Sequence, residues 1–169
     1  MARTSVQDVS SIPDPALVWN FDLMLPSIPG SSDTRQLTYR CMTQTLPGSE
    51  LDSVAIKLHG IELRRRGARN WSHTMTTEFM EAVDWNTRNQ FFAWMESAQS
   101  WVNNTGSPSS VYLVNGQIIL YTDAPAVAKT VLVRNMWPQA IQDVNLDGGN
   151  GAGMVQLGIT WSYDWTEDM

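Results

Sequence analysis

Along most of the chain, apolar residues recur at every second position, the spacing of half-buried strands. In VWNFDLMLP, Trp19, Phe21, Leu23 and Leu25 alternate with Val18, Asn20, Asp22 and Met24 until Pro26 and the Pro29–Gly30 turn stop the run. LTYRCMTQTL places Leu37, Tyr39 and Cys41 on one face of a second predicted strand, with Thr38, Arg40 and Gln44 on the other, and Pro47–Gly48 ends it. Val54, Ile56 and Leu58 then face Ile61 and Leu63 across His59–Gly60, a hairpin whose second arm runs into Arg64, Arg65, Arg66 and Arg69. A further strand is predicted where Trp71, His73, Met75, Thr77 and Phe79 share a face.

The period then changes. From Asp84 to Asn104, Phe91, Trp94, Met95, Ala98, Trp101 and Val102 recur at three- and four-residue spacing, which predicts an amphipathic helix. Asp84 or Thr87 is the expected N-cap, Thr87 with Gln90 as a capping box, and Asn103, Asn104, Gly106 and Pro108 supply the stop. Strands return beyond it. VYLV, Asn115–Gly116 and QIILY predict a hairpin with a tight turn, and AKTVLVRNMW a strand ended by Pro138. Val155, Leu157, Ile159, Trp161, Tyr163 and Trp165 alternate with Gln156, Gly158, Thr160, Ser162 and Asp164, the cleanest half-buried strand in the sequence. The expected fold is mainly β: a small antiparallel β-barrel or sandwich with one flanking amphipathic α-helix at about 85–104.

Composition narrows what such a domain does. The chain has 169 residues, the size of one domain, with residues 1–15 as an irregular N-terminal arm. No apolar run reaches the ~18 residues of a membrane span. The opening MARTSVQDVSSIPDP is polar and lacks an apolar core, so an ordinary export signal is not expected. A net charge of −6 disfavours a surface that grips nucleic acid, which is held by Lys and Arg. Eight tryptophans call for a packed core, an interface or an aromatic binding platform.

Candidate chemistry is sparse. DVNLDGGNGAGM, Asp143 to Met154, opens like an EF-hand loop, with Asp143, Asn145, Asp147 and Gly148 in place. Its twelfth position is Met154 instead of a bidentate Glu, its eighth is Asn150, and no helix is predicted before it, so a strand edge entering a glycine-rich turn accounts for the pattern. His59 and His73 are the two histidines, and no spacing suits zinc. Cys41, the single cysteine, lies on a predicted apolar strand face and reads as an inert thiol, with an intermolecular disulfide left open. Glu78, Glu81 and Asp84 straddle a strand end and a helix start, where capping roles suffice. There is no P-loop, G-x-G-x-x-G or G-x-S-x-G motif. No catalytic residue, metal site or cofactor is expected. The arginine cluster is suited to carboxylates on a neighbouring subunit.

The order of the segments resembles the tail-tube proteins of contractile-tailed bacteriophages over nearly the whole chain. It rests on VWNFDLMLP, TYRCMTQTLPG, the region ending RRRGARNW, MTTEFMEAVDWNTRNQFFAWMESAQ, VLVRNMWPQAIQDVNLD and GITWSYDW, the last two forming the most specific part. The resemblance implies a structural virion protein whose hexameric rings stack into the hollow inner tail tube through which DNA is ejected without specific binding. It also implies partners: the tail sheath protein, the baseplate and tail terminator proteins, and the tape-measure protein in the lumen. Assembly would take place in the host bacterial cytoplasm. The hairpin region 46–70 would then reach the adjacent ring, with Arg64, Arg65, Arg66 and Arg69 as inter-ring contacts. Trp161, Tyr163 and Trp165 belong either to the core or to a subunit interface. An acidic wall suits a bore that DNA slides through, although Asp33, Asp123 and Asp147, near turns, serve equally well as ordinary solvated residues. The same fold forms the tubes of type VI secretion systems and phage-tail-like bacteriocins. A different class, a carbohydrate-binding β-sandwich, would use Trp85, Trp94, Trp101 or Trp137 as platforms.

Overall fold

A computed structural model describes residues 16–31, 33–123, 126–147, 149 and 153–169, so the N-terminal arm at 1–15 lies outside the described residues. Nine strands are present among them: β1 (Phe21–Met24), β2 (Cys41–Gln44), β3 (Ser49–Leu58), β4 (Ile61–Trp71), β5 (Thr74–Met80), β6 (Val114–Tyr121), β7 (Val127–Ile141), β8 (Gln156–Ser162) and β9 (Trp165–Asp168). Three helical segments accompany them: α1 (Arg35–Arg40), α2 (Asn86–Ala98) and α3 (Ser109–Tyr112). The mainly β, antiparallel expectation holds, with α2 as the flanking amphipathic helix. The sheet is open and does not close into a barrel. Its order is β1-β6-β7-β8-β5-β2 with β9 also on β7, while β3 and β4 form a separate two-stranded ribbon. Among the described residues no helix is long and apolar enough to cross a membrane.

The two halves of the sheet share one long strand. The first part of β7 pairs with β6, and Val131 to Arg134 also pair with β9. Beyond Asn135, whose φ is 55°, Trp137 to Ile141 pair with β8 instead. The expected stop at Pro138 therefore fails. Pro138 faces Trp161 where the register slips, so its missing N–H falls at a bulge in the ladder.

The core lies between this bent sheet and α2. Met75, Thr77 and Phe79 of β5 and Leu157, Ile159 and Trp161 of β8 are all buried, as the two-residue alternation requires. Phe91 and Trp94 are the buried apolar side chains of α2. Their rings meet those of the sheet: Phe79–Phe91 centroids are 5.2 Å apart, and Phe91–Trp161 and Trp94–Trp161 are each 5.5 Å apart with tilted or edge-on geometry. Such contacts add about 0.5–1.5 kcal/mol per pair beyond area burial.

Several elements depart from the sequence pattern. LTYR forms the end of α1, where the strand pattern predicts an extended segment. Leu37 enters the core, Tyr39 turns out to solvent, Arg35 N–H donates to Asp33 Oδ1 (3.2 Å), and Arg40 Nη2 donates to Gln36 Oε1 (3.2 Å), a one-turn contact. The strand predicted through Trp71 and His73 breaks between them: His73 has φ 56°, and its Nδ1 lies 3.1 Å from the carbonyl of Tyr163. The predicted Asn115–Gly116 turn is absent, because β6 continues through it along β7, with a register slip between Val114 and Gly116. A Cβ at Gly116 would overlap Met136 Sδ and lie 3.3 Å from Leu25 Cδ2, so glycine serves close packing here. VYLV is split accordingly, Val111 and Tyr112 closing α3 and Val114 opening β6.

Helix α2 also ends early. Its last residue is Ala98. Ser107 N–H then donates to Ala98 O (2.9 Å) and Ser100 N–H to Thr105 O (3.0 Å), folding 99–107 into a tight loop. Trp101, expected in the core, is 83% exposed. At the other end neither Asp84 nor Thr87 is the main cap. Thr87 is buried and accepts from Arg40 Nη1 (2.9 Å), while Asp84 accepts only the Asn86 N–H at an exposed site (3.2 Å). Glu81 takes the role: its carboxylate accepts the N–H groups of Ala82 (3.0 Å), Thr87 (3.1 Å) and Arg88 (2.8 Å), with Arg40 Nη1 4.0 Å away. It supplies the acceptor that the free N–H groups of a helix start require.

Two consequences are measurable by urea unfolding. Trp161→Ala, which empties the centre of the ring cluster, is expected to cost about 3–5 kcal/mol. Glu81→Ala strands three backbone donors and Arg40, at about 3 kcal/mol, whereas Asp84→Ala costs no more than about 1 kcal/mol.

Candidate functional site

The ribbon β3–β4 is the part of the chain least used by its own fold. His59 and Gly60, at φ 48° and 81°, make the two-residue turn that matches strand twist. Every residue of β3 is exposed, and in β4 all but Gly67 and Trp71 are exposed. Opposed residues in an antiparallel pair project to the same side. Val54↔Arg65, Ile56↔Leu63 and Leu58↔Ile61 therefore form one face, and Ser53↔Arg66, Ala55↔Arg64 and Lys57↔Glu62 the other.

The four arginines do not make a single patch. Arg64 and Arg66 share the polar face, where Arg64 Nη2 meets Glu62 Oε1 at 3.1 Å. Arg65 stands among aliphatic side chains on the opposite face, its Nη1 donating to Arg64 O (3.2 Å). Arg69, past a bulge and opposite Leu51, lies at the ribbon's base, where Arg69, Trp71, Lys129 and Asp168 border a pocket of about 540 Å³.

The C-terminal aromatics separate. Trp161 and Tyr163 are buried in the chain's own core. Trp161 Nε1 donates to Thr77 Oγ1 (2.8 Å), and Thr77 in turn donates to Gln44 Oε1. The Tyr163 hydroxyl lies 2.9 Å from Ser72 Oγ. Trp165 is 38% exposed on β9, and its Nε1 donates to Glu167 Oε1 (3.0 Å). That bond, with one from Arg134 (3.0 Å), holds the Glu167 carboxyl below its ordinary range. Strand β9 presents an outer edge, and so do β1 and β2.

Other candidates resolve as follows. The stretch 142–147 is irregular, not the expected strand edge, and Asp147 Oδ1 turns back to accept Gly149 N–H (2.9 Å). Gly148 and Asn150 of the EF-hand-like motif lie outside the described residues. Among the described residues no three His, Cys, Asp or Glu side chains converge as a metal site. Of the four tryptophans proposed as sugar platforms, Trp94 is fully buried and donates to Tyr112 O (2.7 Å); Trp85 and Trp137 are half-buried, and Trp101 is exposed. Asp33 pairs with Arg35 (3.4 Å), while Asp123 and Asp147 are exposed in loops. Cys41 is half-buried at the start of β2. Burial, and then the charge of Asp22, push its thiol from 9.0 up to about 12.

The described residues thus form an open antiparallel sheet that carries one packed helix and a separate two-stranded ribbon. No family model matches the chain. In sequence it is 24% identical over 136 residues to the tail tube protein gp19 of Enterobacteria phage T6, covering 79% of this chain and 82% of that one. The gp19 of phage T4 is 23% identical over the same extent. In fold it is similar to the terminating cap of the anti-feeding prophage tube, with a TM-score of 0.69, 15% identity and 94% and 93% of the two chains covered. It is also similar to a chain of the sheath–tube complex of an extracellular contractile injection system, with a TM-score of 0.66, 16% identity and 99% of each chain covered. The chain is thus similar to contractile-tail tube proteins, in sequence over 79% of its length and in fold over 94% or more.

Thiol chemistry gives a direct test of this geometry. A raised pKa favours the protonated folded form, so the stabilisation is complete below pH 9 and is lost as pH rises towards about 12. At pH 8, alkylation of Cys41 by iodoacetamide is expected to be at least ~100-fold slower in the native than in the urea-unfolded protein.

Proposed function

We propose that the chain assembles with copies of itself into six-membered rings, and that the rings stack into the hollow tube of a phage tail. Phage DNA would leave through the bore without specific binding, and a sheath, a baseplate, a terminator and a tape-measure protein would be the partners. The ribbon β3–β4 carries this reading: among the described residues its aliphatic side chains are exposed, Ile61 and Leu58 by more than half. Exposed apolar surface of this kind, rimmed by charge, marks an association site. Sequence relatedness to tail tube proteins points the same way.

Edge strands support ring closure. Unpaired outer edges at β1, β2 and β9 attract further strands, and a closed ring removes such edges without runaway growth. In this scheme Trp165, on the edge strand β9, is a subunit contact, and Arg64, Arg65, Arg66 and Arg69 reach the next ring on the hairpin of residues 46–70. A net charge of −6 suits a wall along which phosphate must slide.

A second use of the same tube is favoured by the fold comparisons, since the similar structures come from injection particles. In that case the bore would carry an effector, as in an injection or type VI-like machine. Both uses share the ring and the stack.

Negative-stain electron microscopy of the purified protein over a concentration series tests the shared part. Six-fold rings or hollow tubes are expected; a protein that stays monomeric at every concentration counts against it. The double reversal Arg65→Glu/Arg66→Glu should abolish stacking while circular dichroism stays unchanged, and tubes of unaltered length would remove the arginines from the inter-ring contact.

A further inference from the structure

The exposed ribbon has a counterpart elsewhere on the same chain. Its apolar face consists of Val54, Ile56, Leu58, Ile61 and Leu63, with Arg65 opposite Val54 and Asp52 next along the same side towards the ribbon's base. Ile61 is 64% exposed and Leu58 54%. Among the described residues Arg65 has no carboxylate partner.

A groove of about 1130 Å³ opens between the end of α2, the loop 99–107, α3 and the second half of β7. Its apolar walls are Phe92, Met95, Trp101, Tyr112, Trp137 and Pro138. Tyr112 and Trp137 meet edge to face at 5.9 Å. Glu96 is the one charged residue on the lining. Its Oε2 accepts the Trp101 N–H (3.0 Å), and Oε1 has no partner among the described residues. A ridge that carries Arg65 among its aliphatic side chains thus coexists with a groove whose one charged lining residue is Glu96.

The ridge does not reach its own groove: no residue of β3 or β4 lines it. The pocket at the ribbon's base is bordered by Lys129 and Val131 of β7, and the groove by Trp137 to Gln139 of the same strand. The six positions from 131 to 137 correspond to roughly 20 Å at about 3.3 Å per residue. The ridge and its counterpart therefore sit towards different ends of β7, an arrangement suited to contact between copies.

We propose that this groove receives the apolar face of the hairpin from a second copy of the chain, with the incoming Arg65 paired to Glu96. The proposal rests on the tube reading and supplies the receptor that the hairpin needs. Because ridge and groove are different surfaces, the contact is head-to-tail, and each added copy offers a new hairpin. A guanidinium and a carboxylate brought together inside an apolar contact fix register, since a shifted hairpin would bury either charge alone.

Charge exchange tests it. Wild type, Arg65→Glu, Glu96→Arg and the double variant would be compared by sedimentation and electron microscopy at one concentration, with circular dichroism confirming the fold of each. Each single variant is expected to lower the stacked fraction at least ~10-fold, and the double variant to restore it to within about threefold, the signature of a direct pair. Trp101→Ala, on an exposed loop outside the core, is the second probe of the groove and is expected to weaken stacking without touching the hairpin. If Arg65→Glu blocks stacking while Glu96→Arg and Trp101→Ala stack like wild type, the hairpin docks elsewhere and the groove assignment is overturned, with the tube reading intact. Failure of the double variant to recover also overturns the pair. A wild type that forms neither rings nor tubes removes the tube reading and this inference with it.

Discussion

The fold turns on the burial of Trp161. Its ring meets Phe91 and Trp94 from the helix, and its indole N–H is satisfied by Thr77 on the neighbouring strand. A buried indole without that partner would carry an unpaired donor in an apolar setting, a cost comparable to a lost hydrogen bond. Thr77 hands the bond on to Gln44 of β2, so one side chain ties β8, β5, β2 and α2 together. Everything beyond depends on this anchoring, because a sheet of this size needs a packed partner to hold its curvature.

A second anchor sets where the helix begins. Glu81 follows β5 directly and turns its carboxylate onto the first N–H groups of α2, while Arg40 approaches from α1. The strand-to-helix corner is thereby held from inside the protein. With the helix fixed at that end and released after Ala98, the loop 99–107 swings Trp101 outward and opens the apolar groove. The groove is a consequence of an early helix stop. Phe91 and Trp94, before the stop, close onto the core, whereas Trp101, after it, stands in solvent.

The surface that remains has two unsatisfied kinds of feature: strand edges and apolar side chains on a ribbon. In the proposed tube the edges would take backbone partners and give lateral growth, and the ribbon would take apolar cover and give growth along another direction. A tube of the proposed kind would cover both, which is its physical content. In the proposed contact, Arg65 and Glu96 would add register to what apolar contact alone leaves loose.

The alternation of apolar residues in Met75 to Phe79 and in Leu157 to Trp161, the three- and four-residue spacing of Phe91 and Trp94, and the His59–Gly60 turn are local properties. They determined the strands, the helix and the hairpin without reference to the rest of the chain. The segment order was legible too, and with it the likeness to tail-tube proteins. What tertiary structure decided were the places where a distant neighbour overrode a local signal. Met136 and Leu25 pack against Gly116, where a continuous strand with a register slip replaces the expected hairpin turn; a slip against β8 lets β7 pass through Pro138; Arg40 and Glu81, far apart in sequence, displace the expected caps. The two faces of the ribbon were implicit in its register, but whether either face was covered depended on what the remaining chain placed beside it. The groove could not be read at all, because it is assembled from four segments whose only relation is where the fold puts them.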